Sequence, residues 1–219
     1  MRFQNRRQAG QDLAVALLRR AEGGGFVDPL VLALPRGGVP VAAEIAHALR
    51  APLDVLVVRK IGAPGQPEAG VGAVVGEDPP VFDQEALALL DMTEYQFTQA
   101  VARQRAEVHR LEELYREGRP APRVRDRTVI LVDDGLATGV TARAALLHLR
   151  RRSPARLVLA IPVCSGLGVV RQHEADDVIC LHRPEHFYAV GEWYVDFGQL
   201  SDREVIDTLR SVHTPASGG

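Results

Sequence analysis

The chain has 219 residues, 46% of them hydrophobic and 25% charged, with a formal net charge of -2. That length can bury the core of one large domain, or of a domain with a cap. The charge balance excludes a global attraction to nucleic acid or acidic membranes, and no apolar run approaches the roughly 20 residues of a membrane helix. The opening MRFQNRRQAGQ lacks the apolar stretch of a signal peptide, so a cytoplasmic protein with local binding sites is expected.

In chain order, helix-like and strand-like segments alternate, which favours a mostly parallel sheet with helices on its faces. Leu13, Ala16 and Leu17 fall at helical spacing within residues 9–21, and Glu22 with three glycines ends that helix. Residues 30–34 read as the first buried strand, which meets Pro35-Arg36-Gly37-Gly38 and a helix over 39–49. Residues 54–58 form a second strand that runs into Arg59-Lys60. The Gly- and Pro-rich stretch 62–80 reads as a long mobile loop, with a short hairpin at 71–75.

Residues 83–118 are helical, and Thr93 with Gln96 matches a capping box that divides them into two helices. The second carries Phe97, Val101, Val108, Leu111 and Tyr115 on one stripe, which predicts packing on the domain. Strands follow over 128–132, 156–163 and 177–181, with a helix to residue 151 after the first of them. Cys164 and Cys180 sit in apolar, strand-like runs without the spacing of a zinc site and read as buried free thiols. An aromatic segment over 184–197 precedes a helix opened by a second capping box, Ser201 with Glu204, and 214–219 are expected to be disordered.

The chemistry concentrates in VILVDDGLATGVT, residues 129–141. Asp133 and Asp134 lie where an apolar strand stops, the place at which parallel sheets bind ligands. Carboxylates there can accept from sugar hydroxyls or hold magnesium through water. They can also simply cap a helix or bind an arginine. Residues 137–141 then turn into a helix, so that backbone amides and the hydroxyls of Thr138 and Thr141 point at one spot suited to a phosphate. Gly139 permits close approach, and the helix dipole adds about 0.3–1 kcal/mol. An acidic pair after a strand is also found in receiver domains, but there it lies near the amino terminus. Neither GxxxxGK[ST] nor GxGxxG occurs.

This stretch resembles the phosphoribosyl pyrophosphate (PRPP) binding motif of type I phosphoribosyltransferases: four apolar residues, two acids, two small or apolar residues, then a small-Thr-Gly-x-Thr loop. The resemblance implies an α/β fold of that type, with a mostly parallel central sheet flanked by helices, a hood and a helical insertion. The whole chain would be one domain, with a flexible catalytic loop over 62–80, the insertion over 83–118 and a hood and tail over 182–219. Asp133 and Asp134 would contact the ribose hydroxyls, and Ala137, Thr138, Gly139, Val140 and Thr141 the 5′-phosphate. Gly135 departs from the family, which usually has an aliphatic residue there.

A site for PRPP also needs cations and amides facing the leaving pyrophosphate. Arg36, Gly37 and Gly38 match the family's pyrophosphate loop, where a cis peptide is often found; here it would be the Pro35–Arg36 bond. Arg59-Lys60 resembles a pair in orotate-type members. The loop would close to exclude water from an oxocarbenium-like transition state. The turn resembles the ATGxT of adenine-type members, whose acid comes from the mobile loop, so Glu68 or Glu77 would fill that role. In the aromatic tail, Tyr188, Trp193 and Asp196 would contact the acceptor.

The reaction implied is displacement of pyrophosphate from PRPP by a nitrogen nucleophile, a nucleobase with purine-like bases favoured, in a magnesium-dependent homodimer that binds neither nucleic acid nor membrane. The alternative is a regulator that senses PRPP or a nucleotide without turnover. Arg59, Lys60 and a lid favour catalysis, because a sensor needs no lid.

Overall fold

Short apolar runs separated by amphipathic helices give the computed structural model its layers; it describes residues 2–21, 25–63, 66–166, 168 and 172–213. The chain opens with α1 (Arg6–Ala21), β1 (Pro29–Ala33), α2 (Gly38–Leu49) and β2 (Leu53–Val55). Three further strands follow, β3 (Arg59–Ala63), β4 (Gln66–Val74) and β5 (Val81–Phe82), then α3 (Gln84–Leu89), a 3-10 turn (Glu94–Phe97) and α4 (Thr98–Arg116). The second half comprises β6 (Thr128–Val132), α5 (Val140–Arg150), β7 (Arg156–Val163), β8 (Asp177–His182), a 3-10 turn (Val190–Trp193) and α6 (Asp202–His213).

Five strands pair in the order β2-β1-β6-β7-β8. Every pairing in this sheet is parallel. Alternation along the strands sorts side chains onto two faces. Val31, Ala33, Ile130 and Val132 pack with α1, α2 and α6. Leu30, Leu32, Val129 and Leu131 pack with α5 on the other side. All eight are at most 3% exposed, and burying an aliphatic side chain of this size contributes about 1.5–3 kcal/mol. Both faces being covered is why these strands read as continuous apolar runs.

Strand order reverses between β1 and β6: the chain runs from β1 outward to β2, and later from β6 outward through β7 to β8. A crevice opens at such a switch point, beyond the carboxyl ends of the two strands. The register pairs Ala33 with Val132, so the loops carrying Arg36 and Asp133 start side by side.

The insertion packs as its pattern predicts. The capping box at Thr93 and Gln96 forms. Phe97, Val108, Leu111 and Tyr115 are buried, while Val101 is only half-buried. At the far end of α4, Arg116 Nε donates to Asp54 Oδ2 at 3.0 Å and its Nη2 to the Val55 carbonyl at 3.1 Å, anchoring the helix to β2.

Two expectations are corrected. The stretch over 62–80 is mostly paired strand: β4 runs antiparallel to β3, with bulges around Gly62. Gly72 marks close packing rather than a loose chain, since a Cβ there would sit 2.7 Å from the Val81 carbonyl oxygen. The turn beyond it is pinned as well. Arg105 donates to the carbonyls of Gly76 and Asp78 at 3.0 and 2.8 Å, and Asp78 meets His148 of α5 at 3.0 Å. Residues 64–65 lie outside the described ones, as do 22–24 and 214–219.

Cys164 and Cys180 are not free thiols but a disulfide, with Cα atoms 6.5 Å apart. Sequence spacing could not show this, because β7 and β8 become neighbours only when the sheet forms. Among the described residues no helix is long and apolar enough to cross a membrane.

Candidate active site

At the switch point lies a cleft of about 540 Å³, into which Asp133, Asp134, Arg59 and Lys60 converge. Ala137, Thr138, Gly139 and Thr141 line it from the α5 side, and Val190 from the tail. The double glycine of the β1 exit follows from how tightly the two loops pass. A Cβ on Gly37 would fall 2.0 Å from Asp134 Oδ2, and one on Gly38 2.6 Å from the Val132 carbonyl oxygen. Only glycine fits at either position. The Pro35–Arg36 peptide is cis. The amides of Arg36 and Gly37 donate to no acceptor among the described residues, whereas Gly38 donates to the Leu34 carbonyl at 3.0 Å. The Arg36 side chain does not line this cleft; it faces a neighbouring cavity.

The turn into α5 presents main chain to the cleft. Arg143 donates to the Gly139 carbonyl at 2.8 Å, so the amides of residues 137–141 lie ahead of the first helical bond. Their amides have no acceptor among the described residues, and the α5 dipole adds partial positive charge. Gly139 has φ 78°, the left-handed region, where a side chain would be strained. Its missing Cβ also makes room for Gln172 Nε2, which would otherwise lie 2.4 Å away. Gln172 donates from Nε2 to the carbonyls of Gly139 and Gly168 at 3.2 and 2.8 Å, and Ser165 Oγ donates to the Ala137 carbonyl. These braces come from the segment after β7, and no motif in the sequence announced them.

The acidic pair is held from behind. Arg6 Nε donates to Asp134 Oδ2 at 2.8 Å with both side chains under 15% exposed. The guanidinium also stacks 3.8 Å from the centroid of the Phe197 ring and donates to the Gly198 carbonyl. The Asp134 amide donates to Asp133 Oδ1 at 2.9 Å, and Tyr194 OH donates to the Asp134 carbonyl at 2.6 Å. Burial, and then the charge of Asp134, push the Asp133 carboxyl well above its ordinary range. Burial also raises Asp134, against the pull of Arg6. Two carboxylates whose ionised forms are penalised in this way are poised to gain from an arriving cation or from hydroxyl donors. Lys60, the only lysine in the chain, lines the same cleft and brings positive charge that acts on Asp133.

Other expected residues lie elsewhere. Tyr188 is 83% exposed. Trp193 packs beside Phe3 and Tyr194, and the Asp196 amide bonds the Gln4 carbonyl. None of the three lines the cleft. Glu77 pairs with His109 at 2.6 Å beside a different cavity. The side chain of Glu68 lies outside the described residues. Val140 is 8% exposed and packs into the core, so its contribution is its amide alone.

The tail reaches the cleft through Val190, and that explains the departure at Gly135: a Cβ there would sit 2.4 Å from Val190 Cγ1. Sequence reading also missed Gln104 of α4, whose Oε1 accepts from Arg59 Nε at 3.1 Å. Arg59 is thereby aimed by the insertion.

Fold and site together define a doubly wound α/β protein whose switch-point cleft sets two carboxylates beside a run of unbonded main-chain amides. The phosphoribosyl transferase domain family model matches residues 3–197, and the chain belongs to that family. It is 41% identical over 96% of its length to a Mycobacterium tuberculosis protein named, provisionally, as a phosphoribosyl transferase. The chain spans about half the length of the curated relatives it matches, 47% in that case. Among solved structures it is similar to TT1426 from Thermus thermophilus, with TM-score 0.79 and 42% identity over 96% of this chain and 99% of that one. The AQ2163 protein from Aquifex aeolicus shares the fold, with TM-score 0.51 and 10% identity over 80% of this chain and 73% of that one.

Proposed function

We propose that the cleft binds PRPP with magnesium and transfers its phosphoribosyl group to a nitrogen nucleophile, a nucleobase with purine-like bases favoured, releasing pyrophosphate. The observation that carries this reading is the run of unspent amides at residues 137–141, across one cleft from Lys60 and Arg59 and beside two partly buried carboxylates. The cradle takes the 5′-phosphate. Asp133 and Asp134 accept from the ribose hydroxyls, which fixes the ring while positive charge develops at C1. The bond from nitrogen to C1 forms as the bond from C1 to the pyrophosphate oxygen breaks. Arg59, Lys60 and the amides of Arg36 and Gly37 receive the negative charge that leaves.

Among the described residues no three ligating side chains gather, so the donor set fits magnesium only if PRPP and water complete its shell. Asp133 and Asp134 would hold it, and it would neutralise charge on the diphosphate. In the same reading the chain is a cytoplasmic homodimer, and sedimentation that finds only monomer removes the dimer.

A sensor that binds PRPP without turnover is the second reading, favoured by Val190 being the tail's only contribution to the cleft among the described residues. Incubation with magnesium, PRPP and a panel of nucleobases, with pyrophosphate measured, separates the two: release with one base is expected, and none with any base supports the sensor. A footprint tests binding alone. Amine-directed acylation marks Lys60, the one lysine of these 219 residues, and PRPP with magnesium is expected to protect it selectively. Equal labelling with and without PRPP removes the donor assignment.

A further inference from the structure

Behind Arg59, across a partition formed with Pro35 and Val58, lies a second cavity of about 400 Å³. It exists because of the insertion: α4 provides Arg110 and Glu107, facing Arg36 of the β1 exit and Asp202 at the start of α6. Three guanidinium groups from three separate elements meet two carboxylates here, so the lining carries one net positive charge. Both carboxylates are already engaged. Glu107 accepts from Arg110 Nε and Nη2 at 2.8 Å each, and Asp202 accepts from Tyr115 OH at 2.6 Å.

The cations keep donors in reserve. The Arg36 guanidinium makes no hydrogen bond among the described residues, and its nearest carboxylate oxygen, on Asp202, is 3.9 Å away. Arg59 uses Nε on Gln104, which leaves both terminal nitrogens, and Arg110 keeps Nη1. Val57 and Leu111 form its apolar floor, while Arg36 and Arg110 stay about half exposed and open to an anion arriving from solvent.

We propose that this chamber is a second oxyanion site, which takes a phosphate group from a ligand other than the sugar-phosphate donor, with Arg36 and Arg110 as its principal cations. It rests on the reading of the main cleft as the donor site. Arg59 lines both spaces and couples them: an anion in the chamber draws on the same guanidinium that faces the leaving pyrophosphate.

Inorganic phosphate is the probe, titrated calorimetrically into protein already saturated with PRPP and magnesium. The wild type is expected to bind one further phosphate, and Arg110→Gln to bind it about tenfold more weakly at unchanged PRPP affinity. Glu107→Gln removes the carboxylate that competes for Arg110 and is expected to tighten phosphate binding, an effect that a merely structural role would not produce. Arg110→Lys restores part of the loss. No phosphate uptake with the cleft filled, or equal uptake by the wild type and Arg110→Gln, overturns the proposal. If the wild type binds no PRPP, the donor reading fails by itself. The same titration of the free protein then decides the chamber, through whether Arg110→Gln loses a phosphate site.

Discussion

At the exit of β6, nine consecutive residues, 133–141, supply two carboxylates and five amides to one cleft, whereas the segments packed behind its acidic pair come from opposite ends of the chain. Phe3 pairs with Tyr194, Val195 donates to the Phe3 carbonyl at 2.8 Å, and Arg6 reaches across to Asp134. The first region obtains its geometry locally, from a strand end, a glycine at positive φ and a helix start. The second has no local geometry of its own and is held by contacts between segments nearly two hundred residues apart. A cleft built this way can keep its amide-lined turn while the terminal segments beside it change.

Arg6 joins the two regions, so its loss should break the comparison most sharply. Arg6→Ala leaves Asp134 and the face of Phe197 without their partner and is expected to cost about 3–4 kcal/mol in urea denaturation, as for other ion pairs mostly withdrawn from water. A loss under 1 kcal/mol would mean that the terminal segments pack without it.

Acid should weaken the fold next. Burial first, and then the charge of Arg152, push His148 down to about 4 from its ordinary 6.5, against the pull of Asp78. The native ring stays neutral where the unfolded chain takes a proton. Its contribution is therefore complete above pH 6.5 and is lost as pH falls from 6.5 through about 4, on the order of 3 kcal/mol. In His148→Gln that window of pH dependence should flatten.

Gly37→Ala tests the contact between the two strand exits. Its Cβ would overlap the Asp134 carboxylate, and PRPP affinity is expected to fall about a hundredfold, roughly 2.7 kcal/mol, with the circular dichroism spectrum retained. Gly135→Ala should cost about 1–2 kcal/mol by crowding Val190, and adding Val190→Ala should recover most of it; additive losses would show that the two do not share that space. The smallest effect belongs to Tyr188→Ala, within about 0.5 kcal/mol in stability, with no change in the Michaelis constant of any acceptor found. A large acceptor defect would return Tyr188 to the site.

Much of the cleft's β6 side was legible from sequence because its parts are neighbours along the chain. Asp133, Asp134 and residues 137–141 announce themselves by spacing, whereas Arg59 and Lys60, expected to leave a strand over 54–58, instead open β3 of the second sheet, because β2 ends at Val55. The capping boxes at Thr93 and Ser201 were equally plain and form as read. Glycine misled at 62–80, where it permits tight strand pairing rather than a loop. The aromatic tail misled in another way: its rings suggested acceptor contacts, yet Trp193 and Tyr194 turn inward against Phe3.

The sequence by itself determined the alternation of apolar strands and amphipathic helices, the place where a phosphate could be cradled, and membership in a doubly wound class, since each depends on patterns within a few turns of chain. Tertiary structure alone decided which residues brace that cradle, that Arg6 rather than solvent faces Asp134, that Cys164 meets Cys180, and that the insertion encloses a second chamber. Those are distances between segments far apart in sequence, and they become fixed only when burial of both sheet faces packs the layers together.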